Sequence, residues 1–175
     1  MTAQPTTRAA LLLGGNMGDT ATLLAQARDR LEARGLKIEA CSSLYETEPW
    51  GMESTQNFIN QAVIVGSVLD AHTLLGHTQA VEASLGKTMA APRFDSRGNR
   101  LYASRPIDID IIFFGNEVVD EPTLHVPHPR MHLRRFVLEP LAEVAPQWRH
   151  PLLGQTVAEL LANCPDSGTA TRLEN

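Results

Sequence analysis

The segments run β-α-β-β-α-β with two further helices, which predicts an α+β chain: a ferredoxin-like βαββαβ core with appended C-terminal helices. Three strand-like stretches carry this reading. They are the apolar run 9–13, the Ile- and Val-rich stretch 57–68, and the run 106–114, the clearest strand in the chain. Helical periodicity separates them.

Residues 1–7 are small and polar and are expected to form a flexible tail. The first strand, 9–13, ends at Gly14-Gly15-Asn16, which reads as a turn. Asp19 or Thr20 caps a helix to about Ala33, with Leu23, Leu24, Ala27 and Leu31 on its apolar side, and Gly35 stops it. Residues 36–46 alternate as a strand does, and 48–52 form a loop. Asp70 caps a second helix ending at Gly86. The stretch 87–104 has no periodicity and carries Lys87, Arg93, Arg97 and Arg100, so it is expected to be a mobile lid that orders over bound substrates. Pro122, Pro127 and Pro129 mark an irregular stretch. Helices are expected at 134–144 and 155–162. The single domain is therefore 8–163, with 164–175 a second flexible tail.

Composition narrows the function. Among 175 residues, 15 Lys and Arg face 20 Asp and Glu, a formal charge of −5. That excludes electrostatic binding to nucleic acid or an acidic membrane as the main task, though a local Arg cluster could still hold a small anion. Cys41 and Cys164 are too few for a disulfide scaffold, and no run is long enough to span a bilayer. A cytoplasmic protein is the expectation.

Strand alternation in Ile107-Asp108-Ile109-Asp110-Ile111 puts the isoleucines on one face and both aspartates on the other. Two rises separate the aspartates by roughly 6.5–7 Å, so both carboxylates can reach a shared pair of hard cations. The polar side of an edge strand would look the same, and both readings stand. Glu82 falls near the apolar stripe of its helix, either as a rim salt bridge or facing a ligand. Gly86-Lys87-Thr88 is no phosphate loop, because Val81 stands where the first glycine is needed and the triplet ends a helix. Pro127 and Pro129 keep His125, His128 and His132 from sharing a helix face, which disfavours a zinc site. A histidine near phosphates, with Arg105, Arg134 and Arg135, is the better reading.

Together the motifs resemble the 6-hydroxymethyl-7,8-dihydropterin pyrophosphokinase family (2-amino-4-hydroxy-6-hydroxymethyldihydropteridine diphosphokinase) of folate biosynthesis. They run in order from Gly14-Gly15-Asn16-Met17-Gly18-Asp19 through Ser42-Ser43-Leu44-Tyr45-Glu46-Thr47-Glu48-Pro49, Asn57 to Val63, and His77-Thr78-Gln79 to Glu82. Arg105-Pro106-Ile107-Asp108-Ile109-Asp110, Val126-Pro127-His128 and Arg134-Arg135-Phe136 complete the set. The resemblance implies transfer of the β,γ-diphosphate of ATP to the pterin hydroxymethyl group, releasing AMP. It implies two Mg²⁺ on Asp108 and Asp110, with Arg105, Asp110 and His128 catalytic. ATP is implied at Gln79, Glu82, Lys87, Arg105, Ile111, His128 and Arg134. The pterin is implied at Thr47, Pro49, Trp50, Phe58, Asn60, Tyr102 and Phe136. The chain departs from the family pattern at Gly15, Lys87, Tyr102 and Pro129, where Ser, Arg, Trp and Tyr are common. Two rivals remain: a module that binds nucleotide without transferring anything, and a metal-dependent hydrolase using the same aspartates.

Overall fold

An apolar run without alternation needs burial on both faces, and the run 9–13 has it. In the computed structural model of the chain it lies in β1 (Thr7–Gly15), the strand between β4 (Phe58–Ser67) and β7 (Asp108–Phe114). The structure describes residues 6–47, 57–86, 93–94, 96–97, 100–101 and 106–173. In chain order, α1 (Thr20–Ala33), β2 (Lys37–Cys41) and β3 (Tyr45–Thr47) separate β1 from β4. Then come α2 (Ala71–Ser84), the two-residue strands β5 (Arg93–Phe94) and β6 (Arg100–Leu101), and β7. A hairpin of β8 (Val119–Glu121) and β9 (Leu124–Val126) follows, then a 3₁₀ turn (Met131–Leu133), α3 (Arg135–Val144), α4 (Val157–Ala162) and β10 (Ala170–Arg172). The main sheet runs β10-β3-β4-β1-β7, with β2 also paired to β4, and every pairing is antiparallel. Among the described residues, no helix is long and apolar enough to cross a membrane.

Helices cover both faces. On one, Leu24, Ala27 and Leu31 of α1 and Leu74 and Val81 of α2 join Leu11, Leu13, Val63, Val65, Ile109 and Ile111. On the other, Met131, Val137, Leu138, Leu141 and Leu160 cover Ala10, Leu12, Ala62, Ile64, Ile112 and Phe113. Burying a leucine or isoleucine side chain contributes about 1.5–3 kcal/mol, so the two layers are the main source of stability. Asp19 caps α1 by accepting from the Thr22 N–H, and Asp70 caps α2 from the Thr73 N–H.

Four expectations change. Residues 36–46 do not form one strand. Ser42 still donates its N–H to the Ala62 C=O at 2.8 Å, but its hydroxyl, in place of its own C=O, takes the Ala62 N–H at 2.9 Å. Regular pairing therefore breaks over 42–44 and resumes at Tyr45. Gly14 and Gly15 belong to β1 and are not a turn. The proline-marked stretch holds the β8–β9 hairpin, because Pro122 falls in its turn and needs no ladder N–H. Part of the second tail joins the fold: Asp166 accepts from the Arg135 N–H at 3.0 Å, and β10 pairs with β3. The lid expectation falls mostly outside the described residues; within them, Arg93–Phe94 pairs antiparallel with Arg100–Leu101.

One buried histidine is expected to give the fold a pH dependence. His150 Nδ1 accepts from the N–H groups of Leu152 and Leu153 at 3.1 and 3.0 Å, while its ring meets Phe113 edge-on. Burial, reinforced by His132, lowers its pKa in the fold. The unfolded chain then binds the proton more readily, so stability from this group is full above about pH 6.5 and is lost as pH falls below that. His150→Leu is expected to cost about 1–3 kcal/mol at pH 7.5 by leaving two N–H groups without an acceptor. It should also flatten the decline in stability between pH 7 and 5, measured by urea denaturation. An unchanged decline would place the pH dependence elsewhere.

Candidate active site

The site begins where the second apolar layer ends. Along β7 the face that carries Phe113 and Ile112 continues as Asp110 and Asp108, both half-buried, while Ile107 and Ile109 are buried on the opposite face. A bulge between Ala10/Leu11 of β1 and β7 lets Ile112 and Phe113 both serve the apolar layer. Register then carries the polar face across the sheet: Asp108 pairs with Gly14, Gly14 with Asn60, and Asn60 with Tyr45. The carboxylate strand and Asn60 thus lie two strands apart, about 10 Å. Only the backbone of a glycine lies between them.

Asn60 is buried, and its Nδ2 points to Thr47 Oγ1 at 3.4 Å. Phe58 lies two residues before it on the same face, paired with Thr47. Phe136, in the first turn of α3, packs at the border of the apolar layer. The Arg134 guanidinium lies 5.7 Å from the Phe136 ring centroid, so α3 brings an aromatic ring and a cation to this end together. β3 is tied to α3 by Glu143, which accepts from the Tyr45 hydroxyl at 2.8 Å and from the Ser43 N–H at 2.7 Å. Burial and that carboxylate push the Tyr45 hydroxyl up to about 12, so it stays a donor.

His128 sits beside the aspartates. Its backbone N–H donates to Ile112 C=O at 2.9 Å, and its Nδ1 accepts from the Arg130 N–H at 3.3 Å. Burial first, then Arg134 and Arg130, lower its pKa to about 4, with Asp108 pulling the other way. At neutral pH the ring is uncharged, and with Nδ1 accepting, its proton is on Nε2. It therefore presents a hydrogen-bond donor and no positive charge. The Arg135 side chain is engaged within the chain. Its Nε donates to the Asp166 carbonyl and its Nη1 pairs with Glu139.

Glu82 is buried at 6% exposure, and its Oε2 accepts from the Ile109 N–H at 2.8 Å. Its carboxylate thus meets the backbone of β7. Gln79 is exposed one turn earlier on α2. The Ile111 side chain is buried with the α1–α2 layer. Lys87, Arg105, Pro49, Trp50 and Tyr102 lie outside the described residues.

Gly14 reads in the sequence as part of a turn and of the first motif, not as a residue that shapes the pocket. A Cβ there would lie 2.2 Å from Asn60 Oδ1, so only glycine lets the Asn60 amide lie across β1. The Gly14-Gly15 pair at the end of an apolar strand was the available signal, hidden because such pairs usually mark turns.

Asp108 and Asp110 are hard oxygen donors on one face, which suits Mg²⁺. Among the described residues no group of three or more His, Cys, Asp or Glu could hold a metal.

Residues 10–146 match the family model of 7,8-dihydro-6-hydroxymethylpterin-pyrophosphokinase (HPPK). The chain is 44% identical over 142 residues to the 2-amino-4-hydroxy-6-hydroxymethyldihydropteridine pyrophosphokinase of Porphyromonas gingivalis, covering 81% of this chain and 92% of that protein. It is 39% identical over 163 residues to the enzyme of that name from Methylorubrum extorquens, covering 93% and 96%. In fold it resembles the crystal structure of Plasmodium falciparum HPPK-DHPS with pteroate, with a TM-score of 0.70 at 17% identity. That match covers 93% of this chain and 45% of the Plasmodium chain. The chain belongs to the 7,8-dihydro-6-hydroxymethylpterin-pyrophosphokinase family.

Proposed function

We propose that this pyrophosphokinase of folate biosynthesis moves the β,γ-diphosphate of ATP onto the hydroxymethyl oxygen of 6-hydroxymethyl-7,8-dihydropterin and releases AMP. One observation carries the reading: a single sheet face holds Asp108, Asp110, Gly14 and Asn60 in adjoining register. A phosphate-side carboxylate pair and a polar pocket for a flat heterocycle thus share one floor. The order β7-β1-β4, with β2 and β3 beyond β4, supports a ferredoxin-like split βαβ core.

The chain's residues divide the work. Asn60 offers the pterin amide edge both an acceptor and a donor, and Phe58 and Phe136 offer apolar faces to its ring. Arg134 and the neutral His128 meet the phosphates, one with charge and one with a hydrogen bond. Asp108 and Asp110 would hold the two Mg²⁺, which when bound neutralise charge on the transferred group and on the departing α-phosphate oxygen. Asp110 also polarises the attacking hydroxyl. Most of the rate then comes from positioning and charge neutralisation.

The test is AMP formation from ATP. It should require added 6-hydroxymethyl-7,8-dihydropterin and stop when EDTA removes divalent ions. AMP or phosphate released without the pterin would indicate the hydrolase, and nucleotide binding with no AMP the binding module.

Gly14→Ala is expected to weaken pterin binding by roughly tenfold or more, because its Cβ displaces the Asn60 amide and disturbs its pairing. ATP affinity should not change. Titration with each ligand separately checks this, and pterin binding equal to wild type would show that Asn60 can step aside without cost.

A further inference from the structure

We infer that Glu82 is a positioning residue for the Asp108–Asp110 pair, acting through the backbone of β7 and not through contact with the nucleotide. The inference rests on the reading of those aspartates as metal ligands. β7 is the last strand of its sheet, so every second N–H along it faces away from β1. Ile109 holds one of these outward groups, and it stands between the two aspartates. Its N–H donates to Glu82 Oε2 at 2.8 Å, and Glu82 is only 6% exposed.

Strand alternation explains why this bond bears on the site. With Ile109 bonded outward, Asp108 and Asp110 turn their own backbone groups inward to Gly14 and Leu12, their partners in register. That arrangement sends both carboxylates to the same face. Farther along the same edge, the His128 N–H holds the Ile112 C=O at 2.9 Å. The carboxylate-bearing half of the edge is therefore fixed by Glu82 and the apolar half by the His128 backbone. A helix carboxylate supplies the acceptor that a further strand would otherwise provide, and a charged acceptor makes a stronger bond than a carbonyl. Sequence reading places Glu82 at a nucleotide-contacting position by resemblance; the observed bond gives its carboxylate a task on the far side of the strand.

The experiment compares Glu82→Gln, which keeps a carbonyl acceptor of the same length, with Glu82→Leu, which keeps bulk and loses it. Three readouts are taken well below each variant's melting temperature: hydrogen exchange at the Ile109 amide, Mn²⁺ affinity with a non-hydrolysable ATP analogue, and kcat against KM. For Glu82→Leu we expect faster Ile109 exchange, Mn²⁺ binding weakened about tenfold or more, and kcat lowered at least as far. KM for the pterin and metal-free binding of the ATP analogue should stay within about threefold, since no first contact is removed. Glu82→Gln should recover most of the Mn²⁺ affinity and kcat. A folded Glu82→Leu with normal Mn²⁺ affinity and kcat would overturn the proposal and leave Glu82 with stability alone. A raised KM for ATP with unchanged kcat would overturn it in favour of a nucleotide contact. Asp108→Asn is run alongside, and normal Mn²⁺ affinity there would show that the metal reading itself has failed.

Discussion

Asp108→Asn or Asp110→Asn is expected to lower turnover by about 100-fold or more, because in the proposed site each removes a negative oxygen ligand beside the phosphate charge. Asparagine keeps the shape and can still present a carbonyl oxygen, so the loss reports charge and not volume. The fold should persist. Both side chains are half-buried at the polar end of β7, while Ile107 and Ile109 secure the opposite face. Steady-state AMP formation at saturating Mg²⁺, together with a melting curve, separates the two effects. A double Asn variant that turns over within tenfold of wild type would refute the metal assignment.

Asn60→Ala is expected to weaken pterin binding roughly ten- to a hundredfold while ATP binding stays nearly unchanged. A pocket polar group left without its partner costs about 1–3 kcal/mol, which sets that range. Asn60 is buried, yet its bond to Thr47 is long at 3.4 Å, so little of its hydrogen-bonding capacity is committed to the fold. Glu82 differs: its buried carboxylate takes the Ile109 N–H at 2.8 Å. Calorimetry with each ligand alone decides the matter. Equal losses for both ligands would mean that Asn60 shapes the sheet and not the pocket.

Local pattern carried much of the fold. The apolar run in β1, the capping aspartates Asp19 and Asp70, and the Ile–Asp alternation in β7 each follow from interactions within a few residues. These are strand pleating, a side chain reaching an N–H three positions on, and burial on one face. The aspartates as a pair were legible for the same reason.

Pairing between distant segments could not be read this way. Residues 164–175 look like a polar tail, yet Asp166 holds Arg135, 31 positions earlier, and β10 adds a strand beside β3. The break at Ser42 depends on the Ala62 N–H, 20 positions away. Gly14 resembles a turn until register sets Asn60 against it, and Glu82 resembles a rim charge until α2 brings it to the edge of β7. The sequence by itself determined the residue types, the strand and helix periods and the pairing of two carboxylates on one face, because those rest on short-range geometry. Only the tertiary structure decided which backbone N–H each buried carboxylate satisfies and which side chain must be absent, because both depend on register between strands far apart in the chain.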